Sequence, residues 1–254
     1  MYKNEMYGFP ISSVFFQICG FIFLLLILFL MIIMDFTIGI FIVFMFILIF
    51  WYVFVFHFKL RFSKVRHKIL QSMISFADLD ESEKILDLGT GAGYIAIGFS
   101  KVLPLGFVVG VDKYDQNTPV LGSNFFEELK INFFGNTLNQ AKKNASLEKQ
   151  EEKIMFVKSD LKHYFPFSDK SFHVVLSSQF LYCISKKKRE RVLSEINRVL
   201  KPNGKLVFFE SNKYVNWNIK DVESFFQSLN YKTEIDSLDY MTNKCIFYAK
   251  KPKS

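Results

Sequence analysis

Two long apolar runs open the chain, and behind them the pattern changes to short apolar stretches alternating with amphipathic ones. From Val14 to Met34 run 21 residues without a charge, and from Ile40 to Phe58 another 19, broken only by His57. As helix, either run covers roughly 30 Å at ~1.5 Å per residue, the thickness of a bilayer's hydrocarbon. One helix over both would be about twice too long. A turn is therefore expected at Asp35-Phe36-Thr37-Ile38-Gly39, where Asp35 can sit at a headgroup surface rather than at the bilayer centre. Residues 1–58 read as a hairpin of two transmembrane helices, about 14–34 and 40–58.

From residue 82 onward, strand-like and helix-like stretches alternate as in a parallel α/β sheet. Strands are expected at Lys84–Leu88, Phe107–Val111, Ile154–Lys158, Phe172–Leu176 and Lys205–Glu210. Helices are expected at Tyr94–Val102, Asn136–Glu148, Lys186–Leu200 and Ile219–Leu229. The chain ends differently, with strand-like runs Tyr231–Leu238 and Lys244–Lys250 joined by a short polar turn, which predicts an antiparallel pair. The stretch Lys113–Phe134 is longer than a usual connection of two to six residues. Phe125, Leu129 and Phe133 recur there at helical spacing, so an amphipathic lid is expected.

Charge divides the chain in the same place. Residues 1–58 carry only Lys3, Glu5 and Asp35, a net −1, so the remainder carries +9 to reach the total of +8. Lys59, Arg61, Lys64, Arg66 and Lys68 follow the apolar runs with no acid before Asp78, which marks the cytoplasmic side of a membrane. Residues 59–81 are thus a basic juxtamembrane connector, and 82–254 a separate domain on the cytosolic side of an integral membrane protein. The three cysteines, Cys19, Cys183 and Cys245, are far apart and show neither zinc-ligand nor disulfide spacing, so no metal is expected. Lys186-Lys187-Lys188-Arg189 has no interleaved aromatics and reads as a solvated helix face; a nucleic-acid partner is not expected.

The strongest local signal is Ile85-Leu86-Asp87-Leu88-Gly89-Thr90-Gly91-Ala92-Gly93-Tyr94, a buried strand running through a three-glycine turn into a helix. Without side chains the backbone there can approach a ligand closely, and the N–H groups at the helix start favour polar or anionic atoms. Nineteen residues past Gly93 the second strand ends in Asp112, placed to accept both hydroxyls of a ribose. Taken alone the glycines also satisfy a loose dinucleotide pattern.

The whole block resembles the class I S-adenosylmethionine-dependent methyltransferases, from about residue 82 to the C-terminus. Further blocks fall in that family's order. Val157-Lys158-Ser159-Asp160 is similar to the end of its third strand. Phe165-Pro166-Phe167-Ser168-Asp169-Lys170-Ser171-Phe172 is similar to the approach to the fourth, as found in methyltransferases of quinone, sterol and other small molecules. Glu195 through Leu206 is similar to its helix, turn and fifth strand. His173 and Asn203 depart from the pattern, where the family usually has Asp and Gly. The resemblance implies a Rossmann-like seven-stranded methyltransferase sheet with a terminal antiparallel hairpin. It further implies S-adenosyl-L-methionine as cofactor, held by Asp87, Gly89, Thr90, Gly91, Gly93 and Ser177, with Asp112 on the ribose and Asp160 on the adenine.

Methyl transfer from a sulfonium is an in-line displacement in which the protein mainly aligns the acceptor. The loop after the fourth strand, 177–183, is expected to face the methyl group, which makes Tyr182 the candidate acceptor-orienting residue. His163, in the loop after Asp160, is the candidate base. Together these features predict a membrane-anchored methyltransferase acting on a hydrophobic small molecule or lipid-like acceptor, with the bilayer itself as a partner. The rivals are methylation of a membrane-associated protein or nucleic acid, and a catalytically inactive interaction module.

Overall fold

The computed structural model describes residues 20–27, 29, 38–114, 137–214, 217–238 and 243–253. The chain forms two compact units, one of residues 1–68 and 121–135 and the other of 69–120 and 136–254.

In the first unit residues 20–27 and 29 are helical, and a long helix α1 begins at Ile38 and runs through to Ala77. Gly20 approaches Trp51 so closely that a Cβ there would lie 2.8 Å from the indole Nε1. Among the described residues no helix is long and apolar enough to cross a membrane. The two expected spans are therefore not found there. The first, 14–34, lies largely outside the described residues, and of the second, 40–58, side chains are described only over 44–54. The expected lid over 113–134 also lies outside them, apart from Lys113 and Tyr114.

The helix runs unbroken across residue 58. The chain holds neither Pro nor Gly between Gly39 and Gly89, so nothing breaks α1 where the apolar run gives way to basic residues. It ends at Asp78, whose φ of 43° leaves the helical region. Its last turns belong to the second unit, where Ile69, Leu70, Met73 and Ala77 are buried at the i, i+1, i+4, i+8 spacing of one helix face.

The second unit is a seven-stranded sheet of β1 (Lys84–Leu88), β2 (Phe107–Asp112), β3 (Ile154–Lys158), β4 (Phe172–Ser178), β5 (Leu200–Ser211), β8 (Lys232–Ser237) and β9 (Lys244–Lys250). A two-residue ribbon, β6 (Lys213–Tyr214) with β7 (Trp217–Asn218), follows β5. Helices α2 (Tyr94–Lys101), α3 (Leu138–Leu147), α4 (Lys186–Val199) and α5 (Ile219–Ser228) connect the strands. The order across the sheet is β3-β2-β1-β4-β5-β9-β8; β3 to β5 are parallel, while β9 is antiparallel to both β5 and β8.

The expected antiparallel pair at the C-terminus is present, and β1 and β3 begin and end where the apolar runs do. The central strands are apolar on both faces because helices cover both. Leu86, Leu88, Val109, Val111, Val175, Phe208 and Phe247 join one core. The fifth strand starts five residues earlier than its apolar run at Lys205. Leu200 pairs with Phe172 and Lys205 with Val174, so an irregularity takes up the extra residues, with Asn203 in the left-handed region at φ 65°.

The connections turn away from each other between β1 and β4, since β1–β2–β3 progress to one side and β4–β5 to the other. In such a sheet the crevice beyond the carboxyl ends of these two strands is the ligand site. The residues of interest converge there.

Candidate functional site

The turn after β1 is held by backbone and by one carboxylate. Gly89 and Thr90 donate their N–H groups to Val111 O, at 2.9 and 3.1 Å, so the turn is tied to the end of β2. Gly89, Gly91 and Gly93 have φ of 69°, 53° and 86°, the left-handed region in which an L side chain is strained. Space restricts two of them further. A Cβ on Gly89 would lie 2.7 Å from Phe180 Cβ, and one on Gly93 would lie 2.8 Å from Phe156 Cζ. The Asn144 side chain donates to Ala92 O at 2.9 Å from beneath.

Asp112, at the end of β2, reaches back to this turn. Its Oδ2 accepts from the Gly91 N–H at 2.9 Å and its Oδ1 from the Tyr114 N–H at 3.3 Å. Each carboxylate oxygen has a second lone pair, so the group can still accept hydroxyls of a sugar. Asp112 therefore has two tasks where the sequence indicated one: it shapes the turn and presents its remaining acceptor capacity beside it. Asp112→Ala is expected to weaken cofactor binding by roughly 1.5–3 kcal/mol, the worth of a hydrogen bond to a charged group. Calorimetric titration with S-adenosylmethionine checks this, and an unchanged affinity would remove Asp112 from the site.

Beneath the turn lie buried polar groups without a hydrogen-bond partner among the described residues: Asp87 Oδ2, Thr90 Oγ1 and Tyr114 OH. Buried polar groups without partners are costly, and clustered ones mark the place of a missing ligand or water. Burial pushes the Asp87 carboxyl up to about 7. The nearby Thr90 hydroxyl, whose geometry falls short of a hydrogen bond, moderates this, and the Asp112 charge adds to it. Tyr114 was not legible from sequence as a site residue. It is 3% exposed, with φ 45°, and its hydroxyl is raised above its ordinary pKa by burial and by the charges of Asp112 and Asp87.

Asp160 stands after β3 and caps its own loop, accepting from the Lys162 N–H at 3.0 Å. Burial would raise its pKa, but the Lys162 N–H, His163 and Lys113 outweigh it and hold the carboxyl below the usual range. The His163 ring lies between Asp160 (Nδ1 to Oδ2, 2.9 Å) and Lys188 (Nε2 to Nζ, 2.6 Å). It is two-thirds exposed. With Nδ1 protonated it donates to Asp160 and accepts from Lys188 at Nε2, so taking a proton from an acceptor first requires Lys188 to leave.

The loop after β4 departs from expectation in one respect. Ser177 is fully buried and its hydroxyl donates to Glu210 Oε1 at 2.7 Å, so that side chain is turned toward β5. The same Oε1 accepts the N–H groups of Phe180 at 3.0 Å and Leu181 at 2.9 Å. Tyr182 follows in a single helical turn, Leu181–Cys183, half-buried, with the Lys244 ammonium 5.7 Å from its ring centroid. That ammonium donates to Gln179 Oε1 and, at 2.8 Å, to Ser211 Oγ. Glu210, Phe180 and Lys244 were all missed in the sequence. For Glu210 a signal existed, a lone acid closing the apolar strand Leu206-Val207-Phe208-Phe209.

Residues 114–208 match the family model described as a methyltransferase domain. Among solved structures the chain is similar to a SAM-dependent methyltransferase from Aquifex aeolicus, at 17% identity and a TM-score of 0.53, covering 73% of this chain and 88% of that one. It is similar to the YcgJ protein from Bacillus subtilis, at 17% identity and a TM-score of 0.54, covering 74% and 100%. It is also similar to the [4+2]-cyclase SpnF, at 14% identity and a TM-score of 0.57, covering 74% and 82%. No curated protein matches the sequence. The second unit thus has the fold of S-adenosylmethionine-dependent methyltransferases, and the matched domain supports S-adenosylmethionine as the cofactor. The glycine turn and the unpartnered buried atoms at Asp87, Thr90 and Tyr114 fit such a group.

Proposed function

We propose that the chain is a membrane-anchored methyltransferase that transfers a methyl group from S-adenosylmethionine to a hydrophobic small molecule or lipid-like acceptor. The observation that carries the first half is the set of unpartnered polar atoms under the three-glycine turn, at the crevice between β1 and β4. S-adenosylmethionine supplies an electrophilic methyl group on a sulfonium; the chain supplies position. Asp87, Thr90 and the turn hold the polar end of the cofactor, Asp112 its ribose and Asp160 its adenine. Tyr182, at the end of the loop facing this edge, orients the acceptor.

The anchoring half rests on α1. Phe44 is buried, but most of the apolar side chains described between residues 45 and 54 are open to the surroundings, with Phe46 69%, Ile47 56%, Phe50 72% and Tyr52 69% exposed. A patch of this kind is a contact surface for lipid or protein rather than for water. The close approach of Gly20 to Trp51 supports a helical hairpin, because the expected turn at Asp35–Gly39 lies between them, 15 residues after the one and 12 before the other. Basic residues 59–68 favour the cytosolic side for the enzyme domain.

The test is transfer of labelled methyl from S-adenosylmethionine by the full chain, with membrane lipid extract in one arm and RNA in the other. Label in the lipid fraction is expected. Label in RNA alone would replace the acceptor with nucleic acid, and cofactor binding without transfer to either would favour an inactive binding module.

A further inference from the structure

Glu210 is an expensive residue for its place. It stands one residue before the end of β5, after four buried apolar residues, is itself 0% exposed, and burial pushes its carboxyl up to about 7 even though the Leu181 N–H, the Ser177 hydroxyl and the Phe180 N–H all favour the charge. An apolar side chain there would avoid the desolvation cost of a buried carboxylate. What the carboxylate alone provides is one oxygen, Oε1, accepting three donors, two of them consecutive backbone N–H groups of the loop after β4.

Those two N–H groups fix the residue whose side chain meets the cofactor turn. The Phe180 Cβ and Cδ2 both lie 2.7 Å from where a Cβ on Gly89 would stand, so the ring lies against bare backbone at the first glycine. Gln179, immediately before, is in the left-handed region at φ 59° and gives its own N–H to Phe209 O at 2.9 Å. A non-glycine residue in that conformation persists only where its surroundings hold it. The loop is thus pinned from β5 at three successive backbone N–H groups, of which those of Phe180 and Leu181 are held by the Glu210 side chain.

We infer that Glu210 is a positioning residue for cofactor binding: its Oε1 sets Phe180 against Gly89 and so forms one wall of the S-adenosylmethionine site, which Glu210 itself does not touch. The inference rests on the cofactor reading above. It assigns Glu210 to the strength of cofactor binding, through Phe180, rather than to chemistry at the acceptor.

The experiment is calorimetric titration of the full chain and its variants with S-adenosylmethionine, each beside a thermal melt. Glu210→Gln keeps an acceptor oxygen and is expected to bind within about threefold of the wild type, whereas Glu210→Ala is expected to bind about tenfold or more weakly. Phe180→Ala is expected to match Glu210→Ala, and the double variant to be no weaker than either, because both remove the same wall. Wild-type affinity in Phe180→Ala, or losses that multiply in the double variant, would overturn the inference. So would a Glu210→Gln as weak as Glu210→Ala. Phe180→Ala and Glu210→Gln decide the matter even if Glu210→Ala does not fold. A wild-type chain that fails to bind S-adenosylmethionine would overturn the cofactor reading first, and this inference with it.

Discussion

Replacing Gly91 by valine is expected to reduce S-adenosylmethionine affinity by at least about a hundredfold while leaving the sheet folded. The residue stands at φ 53°, where a β-branched side chain is strongly disfavoured, and its N–H is the donor that Asp112 accepts at 2.9 Å. A valine would relax toward negative φ, swing that N–H away from the carboxylate, and place two methyl groups where ligand backbone contact is needed. The cost to folding is local because the turn's other ties, from Gly89 and Thr90 to Val111 O, do not involve it. Calorimetric titration beside circular dichroism measures both effects. A variant that binds the cofactor as the wild type does would end the assignment of this turn.

The ligand-free protein is expected to lose stability as pH rises from about 5 to about 8, the reverse of what most carboxylates produce. Asp87 and Glu210 are both pushed up to about 7 from ordinary values of 3.8 and 4.5, chiefly by burial. Between those limits the folded chain holds protons that the unfolded chain has released. Unfolding therefore releases protons, and raising the pH favours it. At about 1.4 kcal/mol per pKa unit the two groups together place the effect on the order of several kcal/mol. It is complete above about pH 7, where both are ionised in either state.

Glu83, raised by burial, acts in the same direction. His173, lowered by burial and by the Lys201 charge, opposes it near neutrality as a single group. Asp160 and Glu195, held below their ordinary values, withdraw their contributions only in more acid solution. Thermal melts of the wild type, Asp87→Asn and Glu210→Gln from pH 5 to 8 check this. The wild-type melting temperature should fall across the range and each variant should flatten part of the slope; a steady wild-type rise would contradict the account.

What could be read ahead of the structure followed from how each feature is encoded. The inner strands β1, β2 and β4 were legible because they are buried on both faces and so appear as nearly unbroken apolar runs between polar turns. Gly89, Gly91 and Gly93 were legible because backbone conformation restricts residue type directly. Asp112 was singled out by its distance from the turn, but its bond to the Gly91 N–H was not legible, because strand neighbours in space are distant in sequence. Glu210 shows the same limit: its three donors lie about thirty positions away and only the β4–β5 pairing brings them together. Ser177 was expected at the cofactor because it lies near the end of β4; which way its side chain turns depends on register, and here its hydroxyl donates to Glu210. At residue 58 the side chains change from apolar to basic while the helix continues, because neither Pro nor Gly interrupts it there.

That uninterrupted helix alters what counts as the enzyme's beginning. Ile69, Leu70, Met73 and Ala77 precede the first strand, yet Leu70 packs where any side chain on Gly98 of α2 would sit, 2.4 Å from its Cδ2, and Phe76 lies 6.4 Å, ring to ring, from Tyr248 of β9. A fragment started at the first strand would keep every cofactor residue and still leave a trench along its sheet, at roughly 2–5 kcal/mol for each large aliphatic side chain removed. A truncation of the apolar run therefore spares the core of the second unit only if it stops upstream of Ile69, because the last nine residues of the helix, Ile69 to Ala77, carry the side chains buried there.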